Sequence, residues 1–259
     1  MVRRKLLVIL IGVIVLGVMS QFESIDRLKN QAEVNERELV CIEAILSQYV
    51  QPRDKSVEML QWVTPAVVRV MVRLDNKRTR FGSGVCIDNG LILTCAHLFR
   101  SEPNFSDVKI RFPDKKEFIS TGYAVSKDIN DVAVIIFDPN GYEHRWINIQ
   151  CDTPTPVKVG QTVFSIGCPK GLDFSVSRGI VSKEETLVYG KMVIQVDSAL
   201  NHGNSGGPTF NEWGNLLGIG GFIYSDVVGG GNIGLGFIVP TRIILKTIPD
   251  LINQVKEGK

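Results

Sequence analysis

The sequence predicts an all-β fold of two six-stranded antiparallel β-barrels, followed by a C-terminal helix and preceded by an apolar segment and a helical stalk. Three observations predict it. From Val63 onward the chain consists of short, β-branched apolar runs separated by Gly, Pro, Asn and Asp, which is typical of many short strands. A linker-like stretch at residues 151–156 divides this region into two parts of similar length. Within this region, apolar residues recur at helical spacing only after Pro240.

Seven apolar runs mark expected strands. They lie at residues 66–72, 90–94, 132–137, 162–166, 192–196, 216–220 and 234–239. The expected domains are an N-terminal barrel at residues 62–150 and a C-terminal barrel with the terminal helix at residues 151–259. The apolar face of that helix consists of Ile243, Ile244, Ile248, Leu251, Ile252 and Val255. Pro249 would kink or break it.

The composition is that of an ordinary globular protein, with 44% hydrophobic and 22% charged residues. It excludes a mainly disordered or a collagen-like chain. The 29 basic and 27 acidic residues leave a formal charge of only +2, so nucleic acid is not an expected partner. Five cysteines are too few for a disulfide scaffold, and their odd number leaves at least one thiol without an intramolecular partner.

Residues 1–21 are expected to form a signal anchor or a cleaved signal peptide. Three basic residues at positions 3–5 precede an uncharged run at residues 6–19. As a helix this run spans about 21 Å, less than the ~30 Å hydrocarbon core of a bilayer. A cleaved signal has an apolar core of about this length, whereas an uncleaved one would hold the chain in the membrane through residues 6–22. Either alternative places the rest of the chain on the extracytoplasmic side, membrane-anchored or secreted.

Residues 22–51 predict a helical stalk, because they are rich in charge and contain neither glycine nor proline. In heptad register the core positions are Ile25, Leu28, Ala32, Asn35, Leu39, Ile42, Leu46 and Tyr49. This pattern indicates a coiled coil that would drive self-association. The alternative is a single amphipathic helix lying on the globular part or on the membrane surface.

The segment from Gly203 to Pro208 is the most informative for chemistry. Its glycines let the backbone turn sharply and leave the Ser205 hydroxyl unobstructed. The same turn would bring the backbone N–H groups of Gly203, Asn204 and Ser205 together, where they would stabilise the oxyanion formed when a serine attacks a carbonyl. The alternative is a simple glycine-rich turn between strands.

A serine nucleophile needs a base, and near neutral pH histidine is the usual one. Among the three histidines, His97 is the best candidate, because an apolar strand would deliver its ring to one end. His144 lies in a polar stretch that predicts an exposed loop. His202 is too close to Ser205 in the chain to be delivered independently.

The imidazole in turn needs an acceptor that fixes its tautomer and stabilises its cation. Asp131 is the expected acceptor, since it opens the apolar strand at residues 132–137. A carboxylate where a strand enters the core is costly unless it is paired. Asp128 is the rival, and its position predicts a role in the turn.

These residues resemble the chymotrypsin-fold serine proteases and, among them, the HtrA (high-temperature-requirement) family. The order His97, Asp131, Ser205 is the order of that fold. Further similar segments are residues 64–68, 82–85, 93–97, 131–135, 167–172, 179–182, 195–201 and 234–240. The PDZ domain that many members carry is not expected, because only residues 241–259 follow Pro240.

The resemblance implies a serine endopeptidase that hydrolyses peptide bonds through an acyl-enzyme. Ser205 would attack, His97 would shuttle the proton and Asp131 would orient His97, without a cofactor or a metal. Polypeptide substrates would bind extended, as a strand added beside residues 235–238. A homo-oligomer, a trimer by the family's habit, would form through a barrel or the stalk. The alternative function is a non-catalytic, membrane-anchored peptide-binding scaffold on the same fold.

The expected cleavage is in unfolded or extended segments after small or medium apolar residues. Trypsin-like members carry an aspartate six residues before the nucleophile, where this chain has Ala199. The expected substrate-binding residues are Ala199, Leu200, Asn201, Leu235, Gly236 and Phe237. His202 stands where the family often has proline. Free buried thiols are expected, with a Cys86–Cys95 bridge or a Cys41 link between stalks as alternatives.

Overall fold

The computed structural model describes residues 55–74, 78–100, 105–149, 156–169, 174–225 and 232–257. The predicted signal or anchor at residues 1–21 and the stalk at residues 22–51, with Cys41, lie outside these residues. So does most of the predicted linker at residues 151–156. In the described part of the chain, no helix combines the length and apolar character needed to span a membrane.

The first barrel is a closed antiparallel sheet of six strands. They are β1 (Val67–Leu74), β2 (Thr79–Asp88), β3 (Leu91–Cys95), β4 (Phe105–Arg111), β5 (Glu117–Val125) and β6 (Val132–Phe137). The hydrogen-bonded order is β1-β2-β3-β6-β5-β4. The apolar strands β3 and β6 pair with each other along their whole length, from Leu91 opposite Ile136 to Cys95 opposite Val132. This antiparallel pairing places the end of β3 beside the start of β6.

The second barrel has the same architecture. Its strands are β7 (Thr162–Gly167), β8 (Ser175–Val188), β9 (Lys191–Val196), β10 (Pro208–Asn211), β11 (Leu216–Ser225) and β12 (Asn232–Pro240). They close in the order β10-β11-β12-β9-β8-β7. Buried aliphatic side chains fill the interior, namely Val163, Val181, Ile194, Val196, Leu200, Leu217 and Ile238. The predicted fold of two six-stranded barrels is confirmed.

The C-terminal helix is also confirmed, and it joins the two barrels. It spans Thr241–Lys256 and packs against β5 and β6 of the first barrel and against β11 and β12 of the second. Ile244, Ile248 and Leu251 are buried in this contact. The helix continues through Pro249, so the proline does not break it.

Two short helices were not expected. The helix α1 (Ser56–Val63) buries only Met59 and Val63, and it packs against the turn at Gly214. A 3-10 turn at Thr64–Ala66 follows, so β1 begins later than the strands expected at residues 64–68 and 66–72. The helix α2 (His97–Arg100) is a single turn after β3. The helix at the C-terminus is therefore α3.

Candidate active site

The predicted catalytic residues are carried by both barrels. His97 is the first residue of α2, with only Ala96 between it and β3, and Asp131 directly precedes β6. Because β3 and β6 are paired, the two side chains emerge at the same end of the first barrel. Ser205 lies in the turn before β10 of the second barrel.

Asp131 holds His97 with both carboxylate oxygens. Its Oδ1 accepts the backbone N–H of His97 at 2.8 Å, and its Oδ2 lies 2.8 Å from the ring Nδ1. The backbone oxygen of Asp131 accepts the N–H of Ala96 at 3.0 Å. Asp131 is only 3% exposed and has a φ of 63°, a conformation that aspartate tolerates better than most residues. These contacts fix the orientation of the ring and direct Nε2 away from the carboxylate.

The loop before Asp131 is held from its other side. The Arg100 guanidinium of α2 donates to the backbone oxygens of Ser126 and Asp128, the latter at 2.7 Å. Asp128 itself accepts the backbone N–H of Asn130 at 3.0 Å and its amide at 2.6 Å. Of the two candidate carboxylates, Asp131 therefore contacts His97 and Asp128 closes the turn.

In the turn around Ser205, two backbone N–H groups have no acceptor in the described part of the chain. Three others are used: Asn204 donates to Asn201 at 2.9 Å, Gly206 to Gly220 at 2.8 Å, and Gly207 to Asn204 at 2.8 Å. Within the described residues, the N–H groups of Gly203 and Ser205 donate to no protein atom. The φ of 103° at Gly203 fits the third position of a type II turn, which favours glycine. The expectation that Asn204 also contributes an N–H is corrected, because that group closes the turn.

Ser83 of β2 fastens this turn to the first barrel, and the sequence did not single it out. Its N–H donates to the Ser205 oxygen at 2.8 Å, and its hydroxyl donates to the Gly203 oxygen at 2.7 Å. The same hydroxyl accepts the N–H of Cys168 at 2.9 Å, while Thr94 donates to the Ser83 oxygen at 2.7 Å. A buried serine between two glycines in a strand is a weak sequence signal, because its partners are distant in the chain.

His97 and Ser205 lie at the same junction. A side chain at Gly206 would approach the Cys95 nitrogen to 2.9 Å, so the Ser205 turn rests on the end of β3, the strand that leads to His97. The hydrogen bonds of the described residues do not include one between Ser205 and His97. Instead the ring Nε2 lies 3.6 Å from the Cys95 sulfur. Catalytic hydrogen bonds are often long without substrate, so this geometry corresponds to a resting site.

The charge state of His97 follows from its neighbours. Partial burial of the ring lowers the pKa of His97, but the Cys95 sulfur and the Asp131 carboxylate outweigh burial and raise it to about 10. The Cys95 sulfur and the Asp131 carboxylate thus favour the protonated form of the ring over the neutral form.

A small cavity of about 30 Å³ lies beside Ser205. It is lined by Leu200, Asn201, His202, Asn204, Ser205, Gly220 and Gly221. Leu200 is only 4% exposed and fills the space next to Gly236, where an added side chain would lie 2.7 Å from the Leu200 Cδ1. Of the expected substrate-binding residues, Leu200 and Asn201 thus line the cavity, and Gly236 makes room for Leu200.

The other expected substrate-binding residues, Ala199, Leu235 and Phe237, are not among the described residues that line this cavity. The Ala199 oxygen accepts the Asn204 amide at 3.2 Å. Leu235 and Phe237 lie in β12, where Leu235 is half-buried and Phe237 is buried.

The expectation of a substrate strand beside residues 235–238 is wrong. Residues 236–238 of β12 pair with β11 on one side and with β9 on the other, so neither edge is available. The pairing of β10 with β11 reaches Pro208 opposite Ile219, and Gly220 bonds to the Ser205 turn. Among the described residues, β11 has no partner strand on this side beyond Gly220. This edge, next to Ser205, was not predicted.

Cys86, Cys95 and Cys168 are buried thiols that form no disulfide, as expected, and the alternative Cys86–Cys95 bridge is wrong. Over the described ranges, no three His, Cys, Asp or Glu side chains converge to hold a metal ion. His144 lies in a loop, but its ring is only partly exposed and stacks on Tyr142. It packs against Phe137, at the end of β6 opposite to Asp131.

Comparisons with known proteins identify the fold family. A family model described as a trypsin-like peptidase domain matches residues 82–219. The chain is 34% identical over 187 residues to the chloroplastic Protease Do-like 1 of Arabidopsis thaliana. It is also 34% identical over 183 residues to a probable periplasmic serine endoprotease, DegP-like, of Pseudomonas putida. These alignments cover 69% of this chain but only 40% and 35% of the relatives, so the chain spans less than half of their length.

Solved structures agree with the sequence comparisons. The serine endoprotease from Yersinia pestis superposes with a TM-score of 0.64 at 29% identity, covering 76% of this chain and 66% of that one. The HtrA-type protease AlgW, solved with a tripeptide, superposes with a TM-score of 0.64 at 27% identity. The superposition covers 75% of this chain and 62% of that one.

Proposed function

The chain belongs to the trypsin-like peptidase domain family, and on that premise we propose that it is a serine endopeptidase working through an acyl-enzyme. The observation that carries the proposal is the turn of Ser205, which leaves the Gly203 and Ser205 N–H groups free. Two such donors beside a serine hydroxyl are what stabilisation of an acyl-transfer oxyanion requires. The His97 ring, oriented by a buried carboxylate at the same junction, supplies the base.

In the proposed reaction, the Ser205 Oγ attacks the scissile carbonyl carbon while the His97 Nε2 accepts the hydroxyl proton. The N–H groups of Gly203 and Ser205 bind the carbonyl oxygen as it becomes an oxyanion. His97 then gives the proton to the leaving amine, and the C–N bond breaks. Water attacks the acyl-enzyme with His97 again as the base, and Ser205 is released. Asp131 stabilises the His97 imidazolium in both acylation and deacylation.

The proposed substrate is an extended polypeptide segment. It would add as a strand to the edge of β11 beyond Gly220 and place one side chain in the cavity above Leu200. The small volume and the absence of a carboxylate among the described residues that line the cavity support cleavage after small or medium apolar residues rather than after Arg or Lys.

The proposed location is extracytoplasmic, with residues 6–22 as a membrane anchor or as part of a removed signal, and the proposed assembly is a homotrimer. The N-terminal basic and apolar pattern supports the location. The Pseudomonas putida relative is named as a probable periplasmic protease, which agrees with an extracytoplasmic location.

Labelling of Ser205 by a fluorophosphonate tests the proposed chemistry. We expect the full-length protein to gain one adduct, located at Ser205 by peptide mass spectrometry, because the reagent reports an activated serine with an oxyanion site. The adduct should vanish in Ser205→Ala and persist in Ser177→Ala, a matched change of a nearby, partly exposed serine. A folded protein that takes up no label would favour the peptide-binding scaffold.

The size of the cavity predicts which residue precedes the cleaved bond. We expect Leu200→Ala to shift the preference toward larger side chains such as Leu and Phe, because it removes the side chain that fills the space beside Gly236. Leu217→Ala is the control, since Leu217 is buried in the same core but does not line the cavity. Each change should lower the free energy of unfolding by about 2–5 kcal/mol. Peptide-library profiling measures the preference, and the same shift in both variants would contradict this account of the cavity.

A further inference from the structure

Cys95 occupies the position on His97 that a serine nucleophile needs. Its sulfur lies 3.6 Å from the ring Nε2, within hydrogen-bond range for sulfur, while Nδ1 is held at 2.8 Å by Asp131. Both ring nitrogens are therefore engaged, and neither contact involves Ser205. The proposed mechanism requires Nε2 to be free to accept the Ser205 proton.

We propose that Cys95 is a positioning residue for His97: its thiol occupies the Nε2 side of the ring in the resting site and must release it before His97 can serve Ser205. This inference rests on the proposed serine peptidase function and adds a regulatory contact to His97, the base of that reaction. Cys95 does not react with substrate in this account, so it acts only through His97.

The packing around Cys95 makes the contact persistent. Cys95 is fully buried at the end of β3 and pairs with Val132 of β6. On its other side the Gly206 backbone lies so close that an added side chain would come within 2.9 Å of the Cys95 nitrogen. The cysteine backbone therefore has no room to move. The His97 side chain is 41% exposed, so its ring is the partner that can tilt while Nδ1 stays bonded to Asp131.

The contact also affects the proton on His97. Among the described residues, the titratable groups that face the ring are Cys95 from β3 and Asp131 from the segment before β6. In the protonated ring, each N–H has an acceptor, Asp131 for Nδ1 and the Cys95 sulfur for Nε2, which keeps the pKa of His97 near 10 despite partial burial. Because a general base must be neutral, the resting enzyme should gain activity as the pH rises toward that value.

Two cysteine variants test the proposal. Cys95→Ala removes the contact, and Cys95→Ser replaces the thiol by a hydroxyl that does not ionise in this pH range and serves as the second variant if alanine impairs folding. Cys86→Ala is the matched control. Cys86 is also fully buried in the first barrel, but its thiol donates to the Asp88 oxygen at 3.4 Å and does not touch His97. Burial and the Asp88 carboxylate raise the pKa of Cys86 to about 12.

The first readout is the rate of fluorophosphonate labelling of full-length protein between pH 6 and pH 10. For Cys95→Ala we expect the rate at pH 7 to rise about tenfold or more, since each unit by which the pKa of His97 falls raises the neutral fraction about tenfold. The midpoint of the pH profile should move down in both Cys95 variants and stay unchanged in Cys86→Ala. A role in packing alone would lower stability without moving this midpoint.

The second readout does not depend on catalysis. The His97 ring proton is titrated by NMR in the Ser205→Ala protein with and without the Cys95 changes, and its signal is assigned by comparison with His144→Gln and His202→Gln. A His97 titration that moves to lower pH when Cys95 is replaced supports the proposal. An unchanged titration and an unchanged labelling profile would overturn it. Absence of labelling on Ser205 in every variant would instead defeat the proposed function, so the two failures are distinguishable.

Discussion

Asp131→Asn is expected to lower kcat/KM by about 10⁴-fold while the protein stays folded. The two oxygens of Asp131 accept two different donors of His97, the backbone N–H and the ring Nδ1–H. If the asparagine oxygen keeps the backbone donor, its NH₂ group faces Nδ1. The ring must then carry its proton on Nε2, where it has no capacity to take the Ser205 proton.

The backbone conformation at position 131 accepts asparagine, so this substitution should change the chemistry of the site without disturbing the fold. Its φ of 63° lies in the left-handed region, which asparagine adopts as readily as aspartate. The backbone hydrogen bond from Ala96 is retained as well. Thermal unfolding should confirm that the folded state survives, so the loss of activity is a loss of chemistry.

Asp128→Asn provides the matched control. It changes the same group three residues away, in a turn where Asp128 contacts Asn130 and not His97. We expect its kcat/KM to stay close to that of the unchanged protein. Peptide hydrolysis measured for both variants decides the assignment: a large loss in Asp128→Asn with little loss in Asp131→Asn would overturn it.

The strands that the sequence predicts well are those buried on both faces. Residues 132–137 are continuously apolar, and β6 occupies the same six residues. By contrast, β8 alternates partly exposed and exposed positions and carries Lys and Glu, so it has no apolar run. Half-exposed strands of a barrel are defined by their neighbours, and those neighbours come from distant parts of the chain.

The positions of His97 and Asp131 follow from local rules, because each lies at the end of a predictable strand. The contacts of Ser83 do not, since they join residues as distant in the chain as Ser83 and Ser205. The free edge of β11 could not be predicted from the sequence either. Residues 234–239 were recognisable as a strand, but only the strand order shows that β12 lies between β9 and β11 and has no free edge. Sequence patterns identify strands, whereas closure of the barrel decides which edges remain.

Gly206→Ala is expected to inactivate the protein and to lower its stability more than a positive φ alone explains. Gly206 has a φ of 80°, which costs alanine about 1–2 kcal/mol. A methyl group there would also overlap the Thr94 hydroxyl and the Ser83 oxygen and lie 2.9 Å from the Cys95 nitrogen. Two of these three atoms are backbone, so they yield little, and overpacking of this kind adds about 1–3 kcal/mol.

Gly160→Ala separates the two contributions. Gly160 has a φ of 85°, and a methyl group there would meet nothing within 4 Å. Gly160→Ala should therefore lower the free energy of unfolding only by the cost of the backbone conformation, about 1–2 kcal/mol, and keep its activity.

In Gly206→Ala the Ser205 turn has to move away from β2 and β3, which displaces the nucleophile from His97. A displacement of about 1 Å is enough to cost about 100-fold in rate. Denaturant unfolding and fluorophosphonate labelling of the two variants measure both effects. Equal losses of stability with full labelling in Gly206→Ala would mean that the turn does not depend on its contact with the first barrel.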